Sequence, residues 1–544
     1  MTPRPEIRGI FRTDADALAV YSEAAGIAQV VPRGVAVPRD IDDLCALVRW
    51  AFEERIPLIP RGSGSSMPGG AIGNGVIVDL SRWRSIGEVN VEARAIRVGP
   101  GVLRAEVDLA ARSHGLRFPV DPSSGAFCTI GGMASTNAAG AHSMHFGSMR
   151  RWVRAIDCVF ADGSRGWVRR GEEPPIGLPT VQRFRRIASE LRAEESRSPS
   201  THRGVIKDSS GYGLAEFART GDVVDILVGS EGTLAFFVEL ELDLTPVAAS
   251  TSSVLGAFGS IEDAVRAASL ARSAGAVACE LLDKTFLDVA ASGGERVVPA
   301  ETESALLAEV EGANAGAAQS AANEVEEIFR RCGATTVRVA LDRPTETELW
   351  ELRHAASPIL ARLDPSLRSM QFIEDGAVPP ENLPAYVRGI REILADNETR
   401  GVIFGHAGDS HVHVNPLVDV SEPDWRDRVQ RILDAAVELT RTLGGTLTGE
   451  HGDGRLRTPL LERVWSTEAI DRFQRVKSVF DPRGIMNPGV KVALEGERAV
   501  EAIKYDPDLS ALSPRARAVL ERVERERAYS RFRLDLLDET ASPG

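Results

Sequence analysis

Three of the nine histidines in this 544-residue chain, His406, His411 and His413, fall within GHAGDSHVHVNP at residues 405–416. Imidazole is costly to bury without a partner and is the commonest metal ligand. VIFGHAGDSHVHVN (402–415) reads as strand, turn, strand. Residues i and i+2 share one face of a strand, so His411 and His413 point the same way and His406 folds back toward them. A second element, TLTGEHGDGR (446–455), holds Glu450 and His451 between Gly449 and Gly452. Flanking glycines let a backbone present two adjacent functional groups to one site. Two histidines and a carboxylate with positions left open are a catalytic rather than a structural metal set. Imidazole favours Zn²⁺, with Mn²⁺ or another divalent ion as the alternative. The plainer use of an HxH pair is hydrogen bonding inside a loop, and the adjacent Glu-His element weighs against it.

A further charged group stands out in PTETELWELRHAASP. Thr345 and Glu348 read as a capping box, with Leu349, Leu352 and Ala356 on the apolar face. Arg353 falls on that face, where a guanidinium wants an anion. Two uses stay open: an ion pair with a structural Asp or Glu, or a clamp for a substrate carboxylate.

The segments that must position these groups alternate strand and helix signals. AQVVPRGVAVP is β-like. DIDDLCALVRWAFEERI is an amphipathic helix opened by Asp40, with Leu44, Leu47, Val48 and Phe52 on one face. PLIP is a brief strand that runs into PRGSGSSMPGG (60–70), whose amides and hydroxyls could cradle an anion. This loop is neither GxGxxG nor GxxxxGK[ST]. GVIVDLS follows as a buried strand, and AIDCVFADGSRGWV as a hairpin turning at Asp162-Gly163. DPSSGAFCTIGGMASTNAAGAHSMHFGSMR (121–150) is dense in glycine and small residues. That allows either a large cofactor or close helix–sheet packing. TLAFFVELELDL alternates as a half-buried strand. After Pro246 the composition turns alanine-rich, as in an inserted α+β module. STEAIDRFQRVKSVF is a helix ending at DPRG, and Ser513 and Pro514 open a terminal helix.

PRGSGSS, TIGGMASTNAAG–HFG and VGSEGTLAFF (228–237) resemble, in order and spacing, the FAD-binding domain of the vanillyl-alcohol oxidase/p-cresol methylhydroxylase superfamily. GHAGDSHVH, GEHGDG and DPRGIMNPGVK resemble its D-2-hydroxyacid dehydrogenase branch, which includes D-lactate, D-2-hydroxyglutarate and glycolate oxidase-like flavoproteins. The likeness spans about Gln29 to Lys491. It implies an α+β fold: a two-subdomain FAD-binding domain over 1–247, a ferredoxin-like substrate cap over 248–445, a return segment over 446–494 and a charged helical tail over 495–544. It implies that Arg61, Gly62, Ser63, Gly64, Ser65 and Ser66 wrap the FAD pyrophosphate. It implies that Gly131, Gly132, Ser135, Asn137 and Gly140 line the flavin and its phosphates, with Glu231, Gly232 and Asn487 nearby. The first glycine loop has no histidine, so FAD is expected to be held noncovalently. The resemblance further implies His406, His413 and Glu450 as ligands of a Zn or Mn ion, His451 as catalytic base, and Asn415 as a residue lining the substrate site. It also implies an arginine at the place of Arg353. His411 departs from the pattern, which has asparagine there; it is either an extra ligand or a donor replacing the amide. Glu374 and Asp375 match a family motif too, but Ile373 stands where dicarboxylate-specific relatives have lysine.

The expected activity is oxidation of a small D-2-hydroxy acid, with hydride passing to flavin N5. No cysteine follows Cys332, so electrons are expected to leave to a separate electron carrier, a quinone or oxygen. Rival readings are a non-redox alkyl-transfer enzyme of the same fold, a flavin-free metallohydrolase and a non-catalytic FAD-binding subunit. The net charge of −14 argues against nucleic acid, which needs a basic footprint. The five scattered cysteines, no secretory h-region and no spanning apolar stretch give the expectation of a cytoplasmic protein without an integral membrane segment. From Arg515 to Arg533 there are seven arginines against three glutamates. This tail packs on the acidic body of its own or a neighbouring subunit, as in a homodimer, or docks an acceptor or the inner face of a membrane.

Overall fold

The computed structural model describes residues 4–292, 297–354, 366–509 and 512–539. The expected helix over 41–54 forms as Ile41–Glu54, and the Asp40 side chain accepts from the Asp43 amide. It links strand Gly34–Val37 to strand Leu58–Arg61, and Val76–Asp79 lies between these two, pairing in parallel with both. Ile10–Arg12 closes this four-stranded sheet as an antiparallel edge. The second subdomain is an antiparallel sheet in the order Ala95–Val98, Ala235–Asp243, Val153–Phe160, Arg165–Arg169. Its expected hairpin turns at Gly163, at φ +75°. Phe236, Phe237 and Val238 are all buried. Helix Thr467–Phe480 covers this half of the sheet, with Phe473 and Phe480 in its core. The neighbouring VVDIL run is a short helix, Val223–Leu227.

The cap carries an antiparallel sheet whose first four strands in sequence are Ser250–Phe258, Ala278–Asp283, Ser304–Gly312 and Ala334–Ala340. Numbered in chain order, they lie in space as 4-1-3-2. That is the ferredoxin-like split βαβ arrangement. Helices Ile261–Ser273 and Ala315–Arg331 pack on one face, contributing Ala264, Ala268, Val325 and Phe329 to the core. Arg400–His406 extends the sheet beside Ala278–Asp283, and His411–Asp419 pairs next to it. A 3₁₀ turn, Ala407–Asp409, joins these last two strands.

The helix bearing Arg353 runs Arg343–His354. Its opening differs from the expected capping box: Asp342 accepts the Thr345 amide at 2.9 Å, and Glu348 pairs instead with Arg338 at 2.8 Å. A carboxylate one turn earlier outcompetes the threonine hydroxyl, because an ionised acceptor makes the stronger bond. Ala356, expected on the same apolar face, lies outside the described residues.

The tail packs on its own chain. Helices Pro514–Glu526 and Arg531–Asp538 place Ala516, Leu536 and Leu537 against Ala17, Val20, Tyr21, Ile59 and Ile77 of the first subdomain. Arg533 is buried there, donating to the carbonyls of Val20 and Tyr529 at 2.6 Å.

Candidate active site

Strand register brings the histidines together. His406 lies directly opposite His411, and Phe404 opposite His413. The ring centroids of His406, His411 and His413 are 4.7–5.4 Å apart. The 446–455 loop crosses beneath them. Glu450 Oε1 lies 3.4 Å from Nε2 of His406, 3.4 Å from Nε2 of His413 and 3.6 Å from Nε2 of His451. Ligands about 2.1 Å from a tetrahedral ion are about 3.4 Å from one another. The donor set therefore fits a divalent cation in both chemistry and spacing.

Each inward nitrogen is set by an anchor on the opposite nitrogen. His406 Nδ1 meets Glu280 Oε1 at 2.6 Å, His413 Nδ1 meets the Glu374 carbonyl at 3.0 Å, and His451 Nδ1 meets Glu374 Oε1 at 3.0 Å. His411 is anchored in reverse, with Nε2 2.8 Å from Asp375 Oδ1. Such outer partners fix ring orientation and tautomer. Asp375 also accepts the His451 amide at 2.9 Å and the Thr448 hydroxyl. Arg457, buried, donates to Glu374, Asp375 and the Gly452 carbonyl.

The electrostatics follow from this crowding. Burial disfavours the Glu450 carboxylate, but Lys207, 2.5 Å from Oε2, and His406 outweigh it and hold its pKa well below the usual range. Burial is likewise overcome at His451, where Asp375, Glu374 and Glu450 lift the imidazole to about 9. At His411, burial and Lys207 push it down to about 3.

Arg353 reaches the cluster through Glu280: its Nε donates to Oε2 at 2.7 Å while the other oxygen holds His406. The guanidinium also lies over the Phe404 ring, 4.7 Å from its centroid. Asn415 sits two residues beyond His413 on the same strand face. Sequence reasoning missed Lys207, Glu280 and Arg457. Glu280 had a signal, being a carboxylate inside the fully buried strand ACELLD; Lys207 sits in an irregular segment and Arg457 at the end of the one-turn helix Gly454–Arg457, neither with such a signal.

The two glycine segments meet. A Cβ on Gly62 would lie 2.2 Å from Thr129 Oγ1. Among the described residues, the amides of Ser63, Gly64, Ser65 and Ser66 donate to no other group. Arg61 is buried beside them, with Nε and Nη2 lacking any hydrogen-bond partner. Unpaired buried donors cost free energy, and Arg61, Ser63 and Gly64 are buried, so these donors, with the half-buried Ser65 and Ser66 amides beside them, fit an anionic group such as a diphosphate. Asn487 Nδ2 donates to the carbonyls of Gly70 and Glu231, and the Glu231 amide to the Ser135 carbonyl. A Cβ on Gly232 would approach Pro60 to 2.5 Å. Gly131 and Gly140 owe their type to packing: added Cβ atoms would meet Pro100 and the Asp121 backbone. The Asn137 side chain accepts the Arg150 amide, and the Gly132 amide donates to Thr129.

Residues 32–168 match the model of the FAD binding domain, and residues 247–490 that of the C-terminal domain of FAD linked oxidases. The chain belongs to the FAD-linked oxidases. It is 29% identical over 488 residues to the glycolate oxidase subunit GlcD of Bacillus subtilis, covering 89% of this chain and 94% of that protein. It is 29% identical to a D-lactate dehydrogenase of Archaeoglobus fulgidus, covering 84% and 90%. The D-2-hydroxyglutarate dehydrogenase of Pseudomonas putida is also 29% identical, over 89% of this chain but 50% of its own length. Among solved structures, 4-ethylphenol oxidase from Gulosibacter chungangensis shares the fold at a TM-score of 0.64 and 16% identity, covering 89% of this chain and 94% of that one. An alkyldihydroxyacetonephosphate synthase does so at 0.61 and 15%, covering 88% and 82%. Among the described residues no helix is long and apolar enough to cross a membrane.

Proposed function

We propose that this FAD-linked oxidase family member oxidises a small D-2-hydroxy acid to its 2-oxo acid. The observation that carries the reading is the approach of His406, His413 and His451 to one oxygen of Glu450, at 3.4, 3.4 and 3.6 Å. The names of its relatives, a glycolate oxidase subunit and a D-lactate dehydrogenase, support the substrate class.

Bound FAD supplies the hydride acceptor, and a divalent cation, Zn²⁺ or Mn²⁺, supplies Lewis acidity that lowers the substrate hydroxyl pKa. His406, His413 and Glu450 hold that cation. Arg61 and the amides of Ser63 to Ser66 hold the diphosphate of FAD. Arg353 binds the substrate carboxylate, and Asn415 lines the same side of the pocket. His451, in its neutral form, takes the hydroxyl proton at Nε2, because Nδ1 is occupied by Glu374; the charge of a bound cation would favour that form by opposing the imidazolium. A proton acceptor in this position contributes typically ~10²–10⁴ in rate. Glu374, pinned by Arg457, keeps that ring in place. A separate electron carrier, a quinone or oxygen would take up the electrons.

Anaerobic titration with paired D- and L-2-hydroxy acids tests the reading. Only D-acids should bleach the flavin, and a chelator should abolish the bleaching until Zn²⁺ or Mn²⁺ is restored. A flavin that no 2-hydroxy acid reduces would refute it.

A further inference from the structure

We infer that His411 is a third imidazole donor to the cation centre, so that in this chain the set is His406, His411, His413 and Glu450. The inference rests on the cation assigned under the proposed function and goes beyond it in naming a ligand.

His411 is fully buried. Its Nε2 lies 2.8 Å from Asp375 Oδ1. Asp375 is an ionised acceptor, fed by the His451 amide, the Thr448 hydroxyl and Arg457. An ionised carboxylate can only accept, so the proton of the neutral ring sits on Nε2 and a lone pair is left on Nδ1. That Nδ1 is buried and has no hydrogen-bond partner. His406 and His413 show the same division of labour, one nitrogen held from outside by an oxygen and the other turned inward. The rule for metal-bound histidine is this anchoring of the second nitrogen. The ring has little freedom to turn: a Cβ on Gly449 would come within 2.6 Å of its Cδ2. One ligand atom each from His406, His411, His413 and Glu450 can be chosen so that all lie within 4.8 Å of one another. A histidine that merely replaced an amide would need only the Asp375 bond. It would not need a lone pair stranded beside two other imidazoles.

A third imidazole predicts a metal preference. Nitrogen donors favour Zn²⁺ over Mn²⁺ more strongly than oxygen donors do. Zn²⁺ and Mn²⁺ affinities of the FAD-loaded wild type and His411→Asn should be measured by competition with a chromophoric chelator, with circular dichroism and flavin content as folding controls. His411→Asn should lose at least about 100-fold in Zn²⁺ affinity and much less for Mn²⁺, so the selectivity narrows. Pulsed electron paramagnetic resonance on the Cu²⁺-loaded proteins should count one imidazole fewer in the variant. Should His411→Asn not fold, His411→Gln takes its place. Unchanged affinities, or Zn²⁺ and Mn²⁺ affinities that fall by the same factor with the imidazole count unchanged, would give His411 a purely supporting role and overturn the inference. A wild type that binds neither metal would sink the cation itself, and the proposed function's metal step with it.

Discussion

Lys491 offers a sharp test of what joins the return segment to the FAD domain. Its ammonium is buried and lies 3.0 Å from Glu231 Oε1, 3.0 Å from Asp453 Oδ2 and 2.9 Å from the Ser209 carbonyl. The carboxylates it joins are themselves structural. Glu231 accepts the amides of Asp453 and Gly454 at 2.7 and 3.0 Å, and Asp453 accepts the Ser210 hydroxyl and the Gly211 amide at 2.8 Å. Lys491→Met keeps the aliphatic volume and leaves two buried carboxylates against no cation. Breaking a buried ion pair by removing one partner costs ~3–5 kcal/mol. At roughly 2–4 °C per kcal/mol for a cooperative unit of this domain's size, that is a fall of about 6–20 °C in Tm. Arg330→Met, at an exposed pair with Glu326 four residues earlier, is the control; such pairs contribute ~0.3–0.5 kcal/mol.

The pH dependence adds a second reading of the same variant. Burial already raises the Glu231 pKa even with Lys491 opposing it. Removing the lysine raises it further. A carboxyl whose folded pKa exceeds its unfolded value stabilises most below the unfolded value, ~4.3, and loses that contribution as pH rises through the folded value. The Tm deficit of Lys491→Met should therefore be smaller at pH 5 than at pH 8, followed by tryptophan fluorescence. Adding Glu231→Gln should recover part of the deficit at pH 8. A deficit no larger than that of Arg330→Met, or one that shrinks with rising pH, would refute the reasoning.

Two further outcomes are expected. Gly64 has φ +79°, and a Cβ there would lie 2.3 Å from Arg61 Nη2. Gly64→Ala adds a left-handed penalty of ~1–2 kcal/mol and displaces Arg61, so FAD should bind roughly 5–30-fold more weakly; unchanged FAD retention would remove this loop from the cofactor site. His142 spans the FAD domain and the cap, with Nδ1 2.5 Å from Asp121 and Nε2 3.0 Å from Glu309. Burial is outweighed there by the two carboxylates, which raise its pKa well above the ordinary value. Its contribution is complete below ~6.5 and fades as pH rises through the raised value. The Tm difference between wild type and His142→Phe should thus be largest near pH 6, and a difference that grows with pH would contradict the assignment.

Much of this was legible in the sequence where one local rule decides. Asp40 opens its helix because a cap is chosen by the residues next to it. The strand–turn–strand around the histidines could be read because alternation and a glycine-bearing turn coincide. The capping box at Thr345 failed because the sequence also offers Asp342, and only the folded chain decides between two acceptors. Glu280, Lys207 and Arg457 were illegible for a different reason. Each reaches a site residue more than 80 positions away in the chain, and side-chain periodicity carries no information on such distances. The 121–150 segment was ambiguous because small residues serve close packing and ligand contact equally. At Gly131 and Gly140 the packing alone accounts for them.

The separation between what is near in sequence and what is near in space has a consequence for the site. Glu450 and His451 are neighbours in the chain, yet different partners hold them: Lys207 and the strand histidines for one, Glu374 for the other. Asp375 ties both together by accepting the His451 amide and, through Oδ1, the His411 ring. A single carboxylate from the cap thus fixes the backbone that carries the proposed base and the ring of the third imidazole. Arg457 in turn fixes Asp375 and Glu374 from the return segment. Preorganisation here is a property of the interface between the cap and that segment. The two can part only by exposing charges that are now satisfied against one another, and that cost keeps the rings of His406, His413 and His451 close to Glu450.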